Sequence, residues 1–119
     1  MLVAFGLLLP AASGERSREI KLPPAGGSVR IEGKLRGIDD HRKFIFHGVR
    51  GIKVKIELAG AGPLRGVITF PSGRREGGPG GGILDQVLGE TGWYRLKVFE
   101  STMGEAWAGA FNIKISVAQ

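Results

Sequence analysis

The residues of this chain best suited to contact a ligand lie in one short stretch, Gly92-Trp93-Tyr94-Arg95-Leu96-Lys97-Val98. Its apolar residues recur at every second position, which predicts a β-strand with one face in a core. Trp93, Arg95, Lys97 and Phe99 would then point outward together. An indole ring can stack on a sugar ring, and neighbouring cations can hold carboxylates or phosphates. We therefore predict a ligand-binding surface made of Trp93, Arg95, Lys97 and Trp107.

A structural role for these aromatic residues is the alternative. They could cover a sheet edge, pack under residues 74–82, or lean on arginine side chains in cation–π contacts.

The residue types of this chain give little support for a catalytic function. The chain has no Cys, and its two histidines, His41 and His47, would lie about 20 Å apart along one strand. They could not share a metal or a proton. A pair of carboxylates could hydrolyse a glycoside, and the candidates are Asp39, Asp40, Asp85, Glu90, Glu100 and Glu105. Because acidic residues at such positions are typical of solvated turns, we expect no enzyme.

Asp39 and Asp40 are the candidates for a metal site. Calcium needs several hard oxygen ligands in one place, and a backbone carbonyl with Asp85 or Glu90 could complete the set. Adjacent aspartates also initiate turns, because their side chains bond the nearby backbone. We expect no cofactor unless these residues hold calcium.

The glycine-rich residues 77–82 are the candidate for a phosphate-binding loop. Such a loop needs a following Lys-Ser/Thr pair, or a strand before it and a helix after it, whereas Ile83 and Leu84 follow here. Six of the residues in 74–82 are Gly or Pro, which predicts a flexible hairpin loop.

The charge balance favours an anionic partner. The 119 residues carry 17 Lys+Arg against 11 Asp+Glu, a net charge of +6. This charge suits acidic polysaccharide, cell-wall polymer, anionic lipid or nucleic acid without selecting one. Since no block of five or six like charges occurs, we expect no nucleic-acid partner.

Residues 1–14 have the pattern of an export signal. Leu2 to Leu9 are almost wholly apolar, Pro10 follows, and Ala12 and Gly14 are small where a signal peptidase needs small residues. As a helix the apolar run would span about 12 Å, too short to cross a bilayer core of about 30 Å. We therefore expect a secreted, periplasmic or cell-envelope protein with no transmembrane segment and a single domain over residues 15–119. An ordinary apolar strand is the alternative.

Alternating apolar residues recur along the chain and predict about eight short strands joined by tight turns. The fold class is therefore all-β, an antiparallel β-sandwich. The inward stripes include Val29, Ile31, Gly33 and Leu35; Phe44 and Phe46; Ile52, Val54, Ile56 and Leu58; Leu64, Gly66, Ile68 and Phe70; and Phe111, Ile113, Ile115 and Val117.

The order of these turns and strands resembles the bacterial pre-peptidase C-terminal domain. The matching elements are Gly33-Lys34-Leu35, Asp40 with Phe44-Ile45-Phe46, Gly51-Ile52-Lys53-Val54, Pro71-Ser72-Gly73, Thr91-Gly92-Trp93-Tyr94-Arg95-Leu96-Lys97-Val98 and Phe111-Asn112-Ile113-Lys114-Ile115. The resemblance implies a jelly-roll-like sandwich of the kind found on secreted bacterial proteins, often behind a peptidase domain.

We expect a non-catalytic module that recognises or adheres to a polysaccharide or cell-surface polymer. The alternative is a structural or chaperone-like partner of a separately encoded exported enzyme such as a peptidase, bound through sheet edges. A small hydrolase is a third hypothesis.

Overall fold

The structure is a computed structural model that describes residues 17–36, 40–60, 64–79, 81–100 and 109–119. These residues form nine strands: β1 (Ser17–Glu19), β2 (Ser28–Leu35), β3 (His41–Gly48), β4 (Lys53–Gly60), β5 (Leu64–Thr69), β6 (Arg75–Pro79), β7 (Gly81–Val87), β8 (Gly92–Glu100) and β9 (Gly109–Val117). No helix within these ranges is long and apolar enough to cross a membrane.

The strands form two sheets, which confirms the predicted all-β sandwich. One sheet has five strands in the order β1-β3-β8-β5-β6, and the other has four in the order β2-β9-β4-β7. The strand that carries the predicted binding residues, β8, is the centre of the five-stranded sheet. Its side chains are therefore flanked on both sides by neighbours from β3 and β5.

The inward stripes predicted from the alternation form the core. Phe46, Ile56, Ile68, Ile113 and Ile115 are fully buried between the sheets. Burial of such side chains contributes about 25 cal/mol per Å² of apolar surface and is the main source of stability in a chain without disulfides.

The flexible loop predicted for residues 74–82 is wrong. Residues 75–79 form β6, which pairs antiparallel with β5, and β7 begins at Gly81 in the other sheet. Glycine is required at position 77, because a Cβ there would lie 2.2 Å from the carbonyl oxygen of Gly66. In this segment glycine marks a close approach of two backbones rather than freedom of the chain.

The antiparallel expectation is wrong for the first strand. β1 covers Ser17–Glu19 and runs parallel to β3. The intervening β2 lies in the opposite sheet, so a chain that reverses at each crossing returns to the first sheet in its original direction. Ile20 follows β1 into the core and donates its N–H to the carbonyl of Ile45.

Candidate functional site

The side chains of β8 alternate as predicted. Tyr94, Leu96 and Val98 are buried, whereas Trp93, Arg95 and Lys97 are exposed on the outer face of the five-stranded sheet. Trp93 is 46% exposed, which is unusual for so large an apolar side chain at the centre of a sheet.

A set of hydrogen bonds fixes the turn that precedes Trp93. The hydroxyl of Tyr94 donates to the carbonyl of Glu90 at 2.7 Å, and burial raises the pKa of this hydroxyl. The carboxylate of Glu90 accepts bonds from the N–H and the hydroxyl of Ser72. The hydroxyl of Thr91 accepts a bond from the N–H of Arg50. The turn before β8 is thus tied to two other turns at the same end of the sandwich.

Gly92 places the Trp93 side chain at the start of β8. Its φ of 149° lies in a region that other residues rarely adopt, and a Cβ there would approach Pro71 to 3.0 Å. The aromatic core beneath is closely packed, since Tyr94 stacks on Phe46 with ring centroids 5.1 Å apart and contacts Phe70 at 5.2 Å. Trp93 therefore follows a hydrogen-bonded turn and lies above this aromatic cluster. We call the turn and the cluster of Tyr94, Phe46 and Phe70 the platform of Trp93.

Two shallow grooves meet at Trp93 and Arg95. The larger, of about 530 Å³, is also lined by Lys43, Ile45 and Lys97. The smaller, of about 280 Å³, runs past Pro71 and Gly73. Both are open clefts along a surface, the shape that suits a chain-like ligand more than an enclosed small molecule.

His47 and Phe99 complete the aromatic part of this face. The rings of His47 and Trp93 meet edge to face, with centroids 5.3 Å apart and planes at 76°. Phe99 is half-buried, and the Lys97 ammonium lies 5.6 Å from its ring centroid. The alternative hypothesis expects contacts with arginine side chains, whereas Phe99 contacts a lysine and Trp93 contacts a histidine.

Cations on three other strands lie on the same outer face as the predicted residues. The strand register aligns Lys43 with Lys97, Thr69 with Arg95 and Arg65 with Phe99. Among the described strand residues, this outer face carries Lys43, Arg65, Arg75, Arg95 and Lys97, against Glu19 as its single carboxylate. The contributions of β3, β5 and β6 were not predictable from sequence, because alternation does not indicate which strands flank β8.

The outer face of the four-stranded sheet carries mixed charge. Its described strand residues include the cations Arg30, Lys34, Lys53, Lys55 and Lys114 and the carboxylates Glu32, Glu57 and Asp85. Lys55 is aligned with Asp85, and Lys114 lies between Glu57 and Arg30. Within those strands this face carries no aromatic side chain.

Of the calcium candidates, Asp39 lies outside the described residues and Asp40 has other partners. Its carboxylate accepts bonds from the N–H groups of Arg36 and His41 and from the guanidinium of Arg42, the last at 2.5 Å. Partial burial opposes ionisation, but these bonds outweigh it and hold the pKa of Asp40 below its ordinary value. Glu90 lies at the opposite end of the β3–β8 ladder, about 25 Å away along the strands. No group of three potential metal ligands occurs within the described ranges.

The remaining predicted chemical groups are dispersed. His41 and His47 both lie on the outer side of β3, six residues apart. Glu100 is 1% exposed, so it is a core residue and not a solvated turn acid. Glu100 continues the period of two set by the inward residues Tyr94, Leu96 and Val98, so the alternation alone indicates a buried position. Trp107 and Glu105 lie outside the described residues.

The fold matches two kinds of solved protein. The structure of PliG from Aeromonas hydrophila, a periplasmic lysozyme inhibitor of g-type lysozyme, aligns with a TM-score of 0.65 and 14% identity over 86% of this chain and 97% of that one. PliG from Salmonella Typhimurium aligns with a TM-score of 0.60 and 16% identity, over 85% and 99% of the two chains.

The pre-peptidase C-terminal domain of collagenase from Bacillus anthracis aligns with a TM-score of 0.60 and 21% identity, over 90% of this chain and 99% of that one. No family model matches the chain, and no curated protein matches it. The resemblance inferred from the sequence is confirmed for the fold: this chain folds as the pre-peptidase C-terminal domain and the PliG inhibitors do.

Proposed function

We propose that this chain is a non-catalytic recognition module that binds a polysaccharide or cell-surface polymer through the outer face of its five-stranded sheet. The observation that carries the proposal is the half-exposed indole of Trp93 at the junction of two open grooves, with Arg95 shared by both. The module needs neither a catalytic residue nor a cofactor for this role.

The platform beneath Trp93 favours stacking. A binding side chain whose backbone is already held in place loses less conformational entropy when a ligand arrives. An indole offers a large flat apolar surface, and the cations beside it can orient acidic substituents. Because the two open grooves meet at Trp93, a polymer can pass along them without an end entering a pocket.

A depletion assay with Trp93→Ala tests the proposal. The purified protein is mixed with insoluble chitin, cellulose, peptidoglycan and a protein-only matrix, at low and high salt. We expect selective depletion that Trp93→Ala weakens about 30-fold, or about 2 kcal/mol, the scale of a central aromatic contact. Val87→Ala is the matched control, because Val87 is 58% exposed on the other sheet. Equal depletion on every matrix that fades with salt would contradict the proposal.

We also propose that residues 1–14 are removed on export, leaving a mature domain over residues 15–119 in the periplasm, cell envelope or medium. The PliG proteins of the same fold are described as periplasmic, which supports this location. Mass spectrometry of the exported protein should find Glu15 at its N-terminus, and an intact Met1 would contradict the cleavage.

A protein partner is the second candidate. The PliG structures are inhibitors of an enzyme, so this fold can present a protein-binding surface. A separately encoded exported enzyme, such as a peptidase or a lysozyme, would then be the ligand. Capture of such an enzyme that soluble glycans do not displace, and that Trp93→Ala leaves unchanged, would favour this candidate over the first.

A further inference from the structure

We propose that the edge strand β2 is a self-association surface, along which two copies of this chain pair antiparallel and join their four-stranded sheets into one. The inference goes beyond the proposed function and does not depend on any polymer. Its basis is an open strand edge whose pattern of charge is complementary to itself.

The backbone of β2 directs hydrogen-bonding groups away from the sheet. The N–H of Val117 donates to the carbonyl of Gly27, so the odd-numbered residues of β2 direct their backbone groups toward β9. The backbone groups of the even-numbered residues then point outward, at Ser28, Arg30, Glu32 and Lys34. Within the described part of the chain, no hydrogen bond reaches these outward groups. A strand from a second molecule can therefore pair with this edge.

β2 differs from the three other edge strands, which carry features that prevent such pairing. β1 has only three residues, and β6 contains Pro79, which has no N–H. The ladder between β7 and β4 is interrupted between Ile56 and Glu57. Short strands, proline and bulges are the usual devices against edge-to-edge association. β2 has eight residues, an unbroken register with β9 and no proline, so it is the edge best suited to pairing.

The outer side chains of β2 alternate in sign along this edge. Arg30, Glu32 and Lys34 are all exposed, and none of them makes an ion pair with another described residue. In the ladder to β9, Arg30 is opposite Lys114, and Glu32 is opposite the neutral Asn112. A carboxylate brought to the free side of Arg30 would therefore offset a like-charge pair within the chain.

The charges of β2 select one register for pairing with itself. Two antiparallel registers keep the outward backbone groups opposite each other and leave a single residue over, one pairing residues 28–34 and the other residues 29–35. In the first, Arg30 lies opposite Glu32 of the second copy, twice by symmetry. In the second, Glu32 lies opposite its own copy and Arg30 lies opposite Lys34. Because opposite charges favour a cross-strand pair and like charges disfavour it, we expect the first register.

The resulting dimer would be isologous, with a two-fold axis through the joined sheet. Since outer side chains pair with outer side chains, both five-stranded sheets lie on the same side of that sheet. The two copies of Trp93 then face the same direction, which would let one dimer hold a polymer at two points. A single strand edge buries less surface than a standard interface, so the expected dissociation constant is on the order of 10–100 µM.

Sedimentation velocity of the purified protein over a range of concentrations tests the pairing. We expect a monomer–dimer equilibrium that weakens at high salt, because the paired charges are near solvent. Arg30→Glu and Glu32→Lys should each raise the dissociation constant at least about 10-fold, since each places like charges opposite one another twice. Lys53→Glu is the matched control: it changes the net charge as Arg30→Glu does, but Lys53 is exposed on β4, inside the sheet.

Combining the two charge reversals should restore the dimer. The double variant Arg30→Glu/Glu32→Lys again has opposite charges across the axis, and an equal mixture of the single variants should form a mixed dimer that neither forms alone. Arg30→Glu also places a carboxylate opposite Lys114 of its own chain, so we expect its fold to be retained. A dimer that both single variants leave intact would overturn β2 as the surface, and failure of both rescues would overturn the register.

Amide hydrogen exchange of the unsubstituted protein gives a readout that no variant can obscure. The N–H groups of Arg30 and Glu32 should exchange more slowly at high protein concentration, whereas the N–H of Ile31, which faces β9, should not change. This alternation distinguishes an added strand from a contact between side chains. A protein that is monomeric at every concentration, or equal slowing at Ile31, would overturn the proposal. Since no polymer enters these measurements, a failure of the proposed function would leave their result intact.

Discussion

The two outer faces of this sandwich carry five cations each on their described strands, yet these cations have different neighbours on the two faces. On the four-stranded sheet, Lys55 lies opposite Asp85, and Lys114 lies between Glu57 and Arg30. On the five-stranded sheet, Lys97 faces Lys43, and an exposed tryptophan stands beside them. The comparison teaches that the scarcity of carboxylates and the exposed aromatic side chain, more than the number of cations, distinguish the candidate binding face from the solvated one.

The largest effect should come from removing the edge strand that belongs to the binding face. Gly77→Ala forces a Cβ against the backbone of Gly66 and Val67, which a β6–β5 pairing cannot accommodate. We expect the free energy of unfolding to fall by about 2 kcal/mol in denaturant titration, because a close backbone contact has no room to relax. Gly78→Ala is the control, since a Cβ there meets nothing within 4 Å. Equal stability of the two variants would show that β6 is not paired as described.

A smaller effect should follow from loosening the platform under Trp93. Tyr94→Phe keeps the ring stacking on Phe46 but removes the hydrogen bond to the carbonyl of Glu90. We expect a loss of about 1 kcal/mol in unfolding free energy, the usual net value of such a bond. Polymer affinity should fall as well, because this bond fixes the turn before Trp93. An unchanged unfolding transition would mean that the other bonds of the turn suffice.

The smallest effect should come from making the balanced face resemble the other one. Glu57→Lys places a second cation opposite Lys114, which already faces Arg30, and removes one of the two carboxylates near Lys55. We expect about 0.5 kcal/mol of destabilisation, measured as a lower melting temperature that recovers with added salt. In a Trp93→Ala background this change should not restore polymer binding. Restored binding would show that a cluster of cations is sufficient without the indole.

The inward and outward sides of β8 were predictable from sequence because a strand alternates strictly with a period of two. The partner of Lys97 was not predictable, since the order β1-β3-β8-β5-β6 depends on how strands cross between sheets. Composition is misleading at residues 74–82, where glycine permits close backbone packing in β6 rather than a flexible loop. At Glu100 the residue type suggested solvent, whereas its position in the alternation already indicated the core.

Footprinting of the lysines tests the central claim most directly. The protein is acetylated briefly with and without the polymer that it binds, and modification at each lysine is quantified by mass spectrometry. We expect the polymer to protect Lys43 and Lys97 while Lys55 and Lys114 react as before. Protection of Lys55 and Lys114 instead, or equal protection on both sheets, would contradict the assignment of the five-stranded sheet as the binding face.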